Sequence, residues 1–439
     1  MSENKIGMIA AVAVALGAIV GAGIFVLSGT VIAIAGAYAI PAFLIVGLVA
    51  LSVALNFGVL GRIMPNAKGA AYSYVYSAFG SELGFITGIL LYFSFATAIS
   101  VVALGFGATL ASMLGGAMAH FAVAFSILLI IALGIINLRG IRNAARTDTA
   151  LVMIKVAILT VFIAFAFLFA IGPGHHSAHN FSRPSEGSLV GDVLEASIAI
   201  FFAYTGFQTV STFTSRVEGG AGNAAEAIMI AVISSIVLYV LVIVSLIFLM
   251  PASSYSITAN PLTSALSAAH APGWLFVLVG IGALIATASA TLAMMLAASR
   301  VMYQISTDGL LPGIFRKYDR EKDVAFNGII ASMLIGILML FAGNVYTIAA
   351  ISNFGLLFSY IISILALMHF HKHGKTTEAK PRYYPYLQVI TIIALMAFIY
   401  GLPHEAFVIN VIIVISLIVI YYALREVEDK KVIRVRLFR

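Results

Sequence analysis

The 439-residue sequence contains few charged residues and no cysteine. Asp, Glu, Lys and Arg together make up 9% of the chain, whereas a soluble globular domain carries about 25%. So few charges cannot cover a surface exposed to water, which excludes a soluble fold. The absence of cysteine excludes structural disulfides and cysteine-ligated metal sites.

Hydrophobic residues make up 62% of the chain, and its mean hydropathy is +1.10. The first stretch without a charged residue runs from Ile6 to Gly61, far longer than the roughly 10-residue strands of a membrane β-barrel. A helix crosses the bilayer with roughly 20 apolar residues. The sequence therefore predicts an all-α membrane protein without a separate soluble domain.

Cutting the apolar runs at proline, glycine and charged residues predicts twelve transmembrane helices. Their approximate bounds are 7–36, 40–61, 83–113, 121–138, 148–171, 189–215, 224–250, 274–304, 325–342, 346–370, 384–400 and 406–424. With the N-terminus inside, every Lys and Arg except Arg183 and Lys155 falls on the cytoplasmic side, as expected for cytoplasmic loops. This distribution predicts a multi-pass protein of the cell membrane with both termini cytoplasmic.

The net charge of +7 follows from this topology and does not indicate a nucleic-acid partner. The basic C-terminal run 426–439 predicts contact with anionic membrane lipids of the inner leaflet. The His-containing run 174–179 is interpreted as a solvated loop, because no carboxylate lies near it to complete a metal site. No cofactor is expected, and no enzyme is expected because the spans contain no nucleophile paired with a base.

Glycine interrupts the first and the sixth predicted helix. Gly17, Gly21 and Gly23 lie near the middle of the first, and Gly206 lies in the run 201–207 of the sixth. Close helix packing explains each interruption taken alone. If the first ten helices form two repeats of five, the two interruptions occupy corresponding places, and the odd number of helices inverts the second repeat in the membrane.

Two repeats of five divide the chain into 1–171 (helices 1 to 5), 172–370 (helices 6 to 10) and 371–439 (helices 11 and 12 with a basic cytoplasmic tail). In secondary transporters, paired interruptions of this kind indicate a substrate site near the middle of the membrane.

An interrupted membrane helix leaves backbone N–H and C=O groups that lipid cannot satisfy. The resumed helix presents donors that suit a carboxylate, and the preceding half presents acceptors that suit an ammonium group. An α-amino acid carries both groups, although an inorganic ion or water meets part of the same demand. The predicted substrate-binding residues are the donors Gly21, Ala22 and Gly23, the acceptors near Ala18, Ile19, Phe202 and Ala203, and the neighbouring Tyr204 and Gly206.

Lys155 is the one Lys or Arg in the interior of a predicted span, since Arg300 lies at the cytoplasmic end of 274–304, and two interpretations of Lys155 remain open. It lies about 12 Å from the cytoplasmic end of its helix, so its ammonium group could snorkel towards the interface. Alternatively, it is a buried amine whose charge is costly and which exchanges a proton or pairs with backbone carbonyls.

Five segments resemble, in chain order, those of the amino acid, polyamine and organocation transporter superfamily. They are GAIVGAGIF (17–25), PNAKGAAYSYVYSAFGSELGFITG (65–88), NLRGIRNAARTDTALVMIK (137–155), FFAYTGF (201–207) and SRVMYQISTDGLLPGIF (299–315). The resemblance extends over the first ten predicted helices. The third segment includes, as Lys155, a lysine that is found in the superfamily's proton-coupled amino acid transporters.

This resemblance implies an all-α membrane fold: a five-plus-five inverted repeat with interrupted helices 1 and 6 and two additional C-terminal helices. It implies alternating access as well, with the substrate held between helices 1, 3, 6, 8 and 10. It also implies that Phe202 is a gating aromatic residue over the substrate. The Lys155 ammonium group would lie against the first interruption and against polar residues of helix 8 such as Ser289, which favours the proton-exchanging interpretation. The sequence departs from the family pattern at Gln208, where an acidic residue is frequent, so a carboxylate proton acceptor is missing there.

Two further departures are the glycines Gly219 and Gly220 in place of an Asn-Pro pair, and Lys68 in place of a frequent glycine.

The expected function is secondary active transport of an amino acid coupled to protons through Lys155. The substrate is expected to be neutral because no carboxylate is placed at the midplane. Two alternatives remain: an amino acid exchanger in which Lys155 is a fixed structural cation, and an amino acid sensor that does not transport.

Overall fold

The computed structural model describes residues 7–64, 71–140, 144–172, 180–181, 189–206, 217–319, 322, 324–374 and 383–437. Almost all of them lie in helices. The strands found among them are the short antiparallel pair β1 (Tyr318–Asp319) and β2 (Val324–Ala325), with Tyr318 opposite Ala325. The predicted all-α class is confirmed for this part of the chain.

The helices follow one another along the chain with short connections. In the N-terminal part they are α1 (Met8–Ile19), α2 (Gly23–Val26), α3 (Ser28–Ala35), α4 (Ala39–Ile63), α5 (Ala71–Phe79), α6 (Ser81–Leu114), α7 (Ala122–Arg139) and α8 (Ala144–Ile171). In the C-terminal part they are α9 (Leu189–Tyr204), α10 (Gly220–Leu249), α11 (Pro261–Ala268), α12 (Gly273–Thr307), α13 (Phe326–Met339), α14 (Val345–Lys372), α15 (Tyr386–Tyr400) and α16 (His404–Leu437).

Eight helical segments of the described chain are long and apolar enough to cross a membrane. They are Ser28–Ile63 (α3 and α4 with the turn between them), Ser81–Leu114, Met118–Arg139, Leu151–Ile171, Gly222–Leu249, Gly273–Thr307, Val345–Lys372 and His404–Ala423. Shorter apolar helices cover Met8–Gly17, Phe326–Met339 and Tyr386–Tyr400. These segments support a multi-pass membrane protein, whereas the twelve-span topology and the inverted repeat remain predictions.

The first predicted helix is broken where its glycines are. Helix α1 ends at Ile19, the backbone leaves the helical conformation at Val20 (φ −74°, ψ 60°), and α2 begins at Gly23. Leu27 separates α2 from α3. The predicted interruption around Gly21 is therefore present in the structure.

The sixth predicted helix ends early, at Tyr204. Gly206 follows with φ +117°, a backbone conformation that glycine adopts without steric cost. Gly219 and Gly220 also have positive φ, at 80° and 74°, and they form the turn into α10. Predictions that concern Lys68, the run 174–179, Arg183, Gln208 and the side chains of 424–439 fall outside the described residues.

Helix α6 packs against both α12 and α14, and the broken helices α2 and α9 pack against this group. Glycine allows the close approach of α6 and α12. A Cβ atom on Gly88 would lie 2.7 Å from Ile305 Cδ1, and one on Gly280 would lie 2.5 Å from Met113 Sδ. These contacts at opposite ends show that α6 and α12 run antiparallel.

The sequence prediction missed the short helices α5 and α11. Helix α5 is tied to the end of α12, because the Tyr72 hydroxyl donates a hydrogen bond of 2.7 Å to Asp308 Oδ2. Gln304 Nε2 donates to both oxygens of the same carboxylate at 3.2 Å. Burial, followed by the bond to Asp308, raises the pKa of the Tyr72 hydroxyl, which therefore stays a donor at neutral pH.

Candidate binding site at two helix breaks

The break after α1 and the end of α9 touch each other through Gly23 and Ala203. A Cβ atom on Gly23 would lie 2.4 Å from Ala203 Cα and 2.8 Å from Ala203 Cβ. Any side chain at position 23 would therefore collide with the backbone of α9. Glycine at this position brings the start of α2 into backbone contact with the last turn of α9.

Tyr239 of α10 links the two breaks. Its hydroxyl donates to the Ile19 carbonyl at 2.7 Å and to the Ala203 carbonyl at 3.0 Å, and its side chain is fully buried. Sequence reasoning missed this residue. The signal for it was a tyrosine in the aliphatic run of α10, since a buried tyrosine hydroxyl needs a hydrogen-bond partner.

Protein groups already use several of the backbone groups predicted to bind substrate. Tyr239 binds the carbonyls of Ile19 and Ala203, and Thr205 binds the Phe202 carbonyl through Oγ1 at 2.7 Å and through its amide at 3.3 Å. A carbonyl oxygen has two lone pairs. Two donors already occupy the Phe202 carbonyl, and Tyr239 and the Gly21 amide occupy that of Ile19. The Ala203 carbonyl has one donor among the described residues and retains capacity for an ammonium group.

The predicted donors lie at the start of the resumed helix. The Gly21 amide donates to the Ile19 carbonyl at 2.7 Å, which turns the chain at the break. Ala22 is the N-cap of α2 and Gly23 its first residue, where amide groups have no acceptor in a preceding turn. Ala18 belongs to α1, and its side chain lies outside what the structure describes.

Tyr204 packs with two aromatic side chains beside the break. Its hydroxyl donates to the Phe43 carbonyl at 3.1 Å, and its ring lies 5.0 Å from the Tyr239 ring and 6.2 Å from the Phe43 ring, measured between centroids. Tyr204 thus anchors the end of α9 to α4. Phe202, the predicted gate, is also buried.

Lys155 lies inside the protein, with 1% of its surface exposed. Its Nζ donates a hydrogen bond of 3.0 Å to Ser289 Oγ on α12, and this hydroxyl donates in turn to the Ala286 carbonyl at 3.1 Å. The Lys155–Ser289 contact that the resemblance implied is therefore present. The snorkelling interpretation requires an exposed ammonium group and does not fit this burial.

The turn of α8 that carries Lys155 packs on α1 just before the first break. A Cβ atom on Gly17 would lie 2.0 Å from Val152 Cγ2. Val152 precedes Lys155 by three residues and therefore lies on the same side of α8. The ammonium group and the end of α1 thus belong to one packing layer.

Among the side chains whose burial the structure describes, Lys155 is the only buried Lys, Arg, Asp or Glu. Asp192 and Glu195, in the first half of α9, are not buried. The described residues also contain no cluster of three or more His, Asp or Glu that would hold a metal ion. The interior around the breaks thus offers backbone groups, hydroxyls and one ammonium group for binding.

Comparison with known proteins gives one family over nearly the whole chain. Residues 6–424 match the family model described as amino acid permease. The methylthioribose transporter of Bacillus subtilis is 28% identical to this chain, covering 88% of this chain and 86% of that protein. The branched-chain amino acid permease BcaP of Lactococcus lactis is 29% identical, covering 95% of this chain and 94% of that protein. The cationic amino acid transporter 3, mitochondrial, of Arabidopsis thaliana is 26% identical, with coverages of 81% and 60%.

Proposed function

The chain belongs to the amino acid permease family, and we propose that it is a secondary active transporter that moves a neutral amino acid across the cell membrane by alternating access. The observation that carries this proposal is the contact of the two helix breaks at Gly23 and Ala203, bridged by Tyr239. Membership of a permease family also confirms the expectation that the chain is not an enzyme.

The substrate's two charged groups match the two kinds of backbone group at the breaks. In the proposed complex the Gly21 amide leaves the Ile19 carbonyl, to which it donates in this structure, and the carboxylate accepts from the amides of Gly21, Ala22 and Gly23, supported by the positive end of the resumed helix. The ammonium group donates to the lone pair of the Ile19 carbonyl that Gly21 vacates and to the remaining lone pair of the Ala203 carbonyl, and Tyr239 holds both carbonyls in position.

A neutral side chain fits the charge distribution of the interior. A cationic substrate would bring a second positive charge near Lys155, and no Asp or Glu is buried among the described residues to compensate it. Burying an unpaired charge is costly. Uptake of arginine or a polyamine in preference to neutral amino acids would overturn this assignment.

Lys155 supplies the proposed proton coupling. As an ammonium group it makes a charge-assisted hydrogen bond that ties α8 to Ser289 of α12, next to the end of α1. Loss of the proton removes the charge and weakens this tie. Gain and loss of one proton therefore shift the balance between inward and outward states.

Uptake by purified protein in liposomes tests the proposal, with a panel of radiolabelled amino acids and an imposed pH gradient. We expect the gradient to drive net accumulation of a neutral amino acid. In Lys155→Ala we expect gradient-driven accumulation to be lost while counterflow exchange persists. Unchanged accumulation in Lys155→Ala would show that the coupling role is wrong.

The same assay separates the two alternatives. Counterflow without net uptake by the unaltered protein would indicate an exchanger in which Lys155 is a structural cation. Tight binding without any flux would indicate a sensor. Methylthioribose belongs in the competitor panel because one relative is named for its transport.

The remaining parts of the proposal concern the membrane. Both termini are placed in the cytoplasm, and the basic residues after 424 are placed at the inner leaflet, where anionic lipids attract them. Amino acid, protons and membrane lipids are the proposed partners, and the proposed cycle requires neither a cofactor nor a nucleic acid.

A further inference from the structure

Two histidine side chains lie against each other at the end of α14. His369 belongs to the last turn of this helix, and His373 is its C-cap. Their ring centroids are 4.1 Å apart, and the ring planes are inclined by 31°. Residues four positions apart lie on the same face of a helix, which explains the contact. The proposed transport cycle does not use this pair.

A hydrogen bond fixes the ring of His373. Its Nδ1 lies 3.0 Å from the His369 carbonyl oxygen, which also accepts from the His373 amide at 3.1 Å. Because a carbonyl only accepts, Nδ1 carries the proton in this bond, and the lone pair of the neutral ring is on Nε2. Histidines that bind metal ions have the same arrangement: one ring nitrogen donates to a carbonyl or a carboxylate, and the other binds the ion.

The ring of Phe79, at the end of α5, supports the second histidine. It contacts His369 edge-to-face, with ring centroids 5.3 Å apart. His369 is half-buried and His373 is exposed. The pair thus has one side held by protein and one side open to solvent, from which an ion can enter. Both rings are oriented before an ion arrives, as an effective binding site requires.

The spacing of the two rings suits a transition metal ion. An imidazole nitrogen binds Zn²⁺ at about 2.0–2.1 Å, so two nitrogens on a tetrahedral ion are about 3.3 Å apart. The ring centroids are 4.1 Å apart. Since the χ2 torsion of histidine is soft, a small rotation brings one nitrogen of each ring to the required distance. Histidines at positions i and i+4 of a helix also supply two of the zinc ligands of metalloproteases with an HExxH motif.

The surroundings of the pair indicate which ions it would bind. The last carbonyls of α14 leave a partial negative charge at this end of the helix, which favours a cation. Imidazole suits Zn²⁺, Cu²⁺ and Ni²⁺, whereas Mg²⁺ and Ca²⁺ prefer oxygen ligands. The described part of the chain has no cluster of three or more metal-binding side chains. Two histidines are therefore the protein ligands, and water fills the other positions.

We propose that His369 and His373 form a binding site for a divalent transition metal ion such as Zn²⁺. The predicted topology places this end of α14 on the cytoplasmic side of the membrane. A bound ion links the last turn of α14 to its C-cap and keeps His369 against Phe79, so it stabilises the packing of α14 on α5. This inference is independent of the proposed transport function.

Calorimetric titration of the purified protein with NiCl₂, after removal of any affinity tag, tests the site. The background variant carries His175→Gln, His176→Gln and His179→Gln, so that the histidines of the run 174–179 do not contribute. We expect this variant to bind one Ni²⁺ ion. We expect it to bind Cu²⁺ more tightly, following the general order of affinity for divalent metals, and to bind no Mg²⁺.

Substitutions in this background identify the ligands. We expect His369→Gln and His373→Gln each to weaken Ni²⁺ binding at least about tenfold, since loss of an outer-sphere partner alone costs about 10- to 100-fold. His373 is exposed, so His373→Gln does not disturb folding. His371→Gln is the matched control, because His371 lies between the two ligands but is buried, with its ring centroid 5.2 Å from that of Tyr384. We expect it to keep the affinity.

Three results overturn this inference. The first is absence of Ni²⁺ binding to the background variant. The second is unchanged affinity in either His369→Gln or His373→Gln. The third is an equal loss of affinity in His371→Gln when this variant unfolds at the temperature of the background variant. Amino acid uptake is measured separately in proteoliposomes, so a failure of the proposed function is distinguishable from a failure of the metal site.

Discussion

Tyr239→Phe removes one hydroxyl and leaves the ring of this side chain in place. The hydroxyl donates to the carbonyls of Ile19 and Ala203, one in each broken helix. The ring still packs against Phe43 and Tyr204, with centroids 6.1 Å and 5.0 Å away. The substitution therefore isolates the bridge between the two breaks from the packing around it.

The expected size of the effect follows from the loss of a donor for two buried carbonyls. A buried polar group deprived of its partner costs about 1–3 kcal/mol. In the variant without substrate, the backbone at the breaks can shift so that the two carbonyls find other hydrogen-bond partners. Substrate binding then has to restore the original backbone geometry, so the cost of about 1–3 kcal/mol is subtracted from the binding free energy. An increase in the substrate KM or Kd of about 5- to 150-fold follows.

The assay is substrate uptake in proteoliposomes together with thermal unfolding of the purified variants. Tyr255→Phe is the control, because Tyr255 is also buried and its hydroxyl donates to a backbone carbonyl, that of Leu246, at 2.7 Å. Both variants are expected to lose some thermal stability, because each loses a buried hydrogen bond. Only Tyr239→Phe is expected to raise KM.

Two results would refute this reasoning. If Tyr239→Phe keeps the KM of the unaltered protein, the bridge does not position the binding groups. If its KM falls, the Ile19 and Ala203 carbonyls bind the ammonium group better when they are free of the hydroxyl, so that Tyr239 competes with the substrate.

Two further predictions concern backbone contact and membrane position. Gly23→Ala is expected to abolish uptake, because its Cβ would lie 2.4 Å from Ala203 Cα. Gly222→Ala is the control and is expected to keep normal uptake, because its Cβ meets nothing within 4 Å. Normal uptake by Gly23→Ala would contradict the contact between the breaks. Trp274, the chain's single tryptophan, is 63% exposed at the start of α12, and from the predicted topology we expect it at the outer interface. Its fluorescence should be quenched by lipids brominated near the headgroup and not by lipids brominated near the bilayer centre.

The long helices were predictable because an apolar run long enough to cross a membrane has few possible structures other than a helix. Ten of the twelve predicted spans coincide with one helix each. The boundaries of nine differ by four residues or fewer, whereas α16 continues beyond the predicted end at 424 to Leu437. The breaks were predictable for a related reason, since glycine weakens a helix and a membrane offers no water to repair it. Gly21 and Gly206 therefore mark the places where α1 and α9 end.

The short elements were not predictable in this way. Helix α5 contains only nine residues, and its position depends on the bond between Tyr72 and Asp308. These two residues are 236 positions apart in the chain. Periodicity describes the local pattern of a helix and carries no information about a partner so distant.

The candidate site shows the same division between local and distant information. The backbone groups around Gly21 and Ala203 followed from the glycine interruptions, whereas their bridging partner did not. Tyr239 reaches Ile19 across 220 positions and Ala203 across 36. Local sequence identified the groups that need partners, and only the packing of helices identified the partners.

Lys155 and Tyr239 act on the same break in different ways, and the difference bears on the proposed coupling. The Tyr239 bridge involves no charge, so it holds α1 and α9 together at any physiological pH. The bond from Lys155 to Ser289 depends on a proton. Gly17 and Val152 bring the α8 turn that carries Lys155 against the end of α1, so a displacement of this end on substrate binding changes the surroundings of Nζ. In the proposed cycle the substrate and the proton therefore act on one short segment of α1, which is the physical requirement for each to change the affinity of the other.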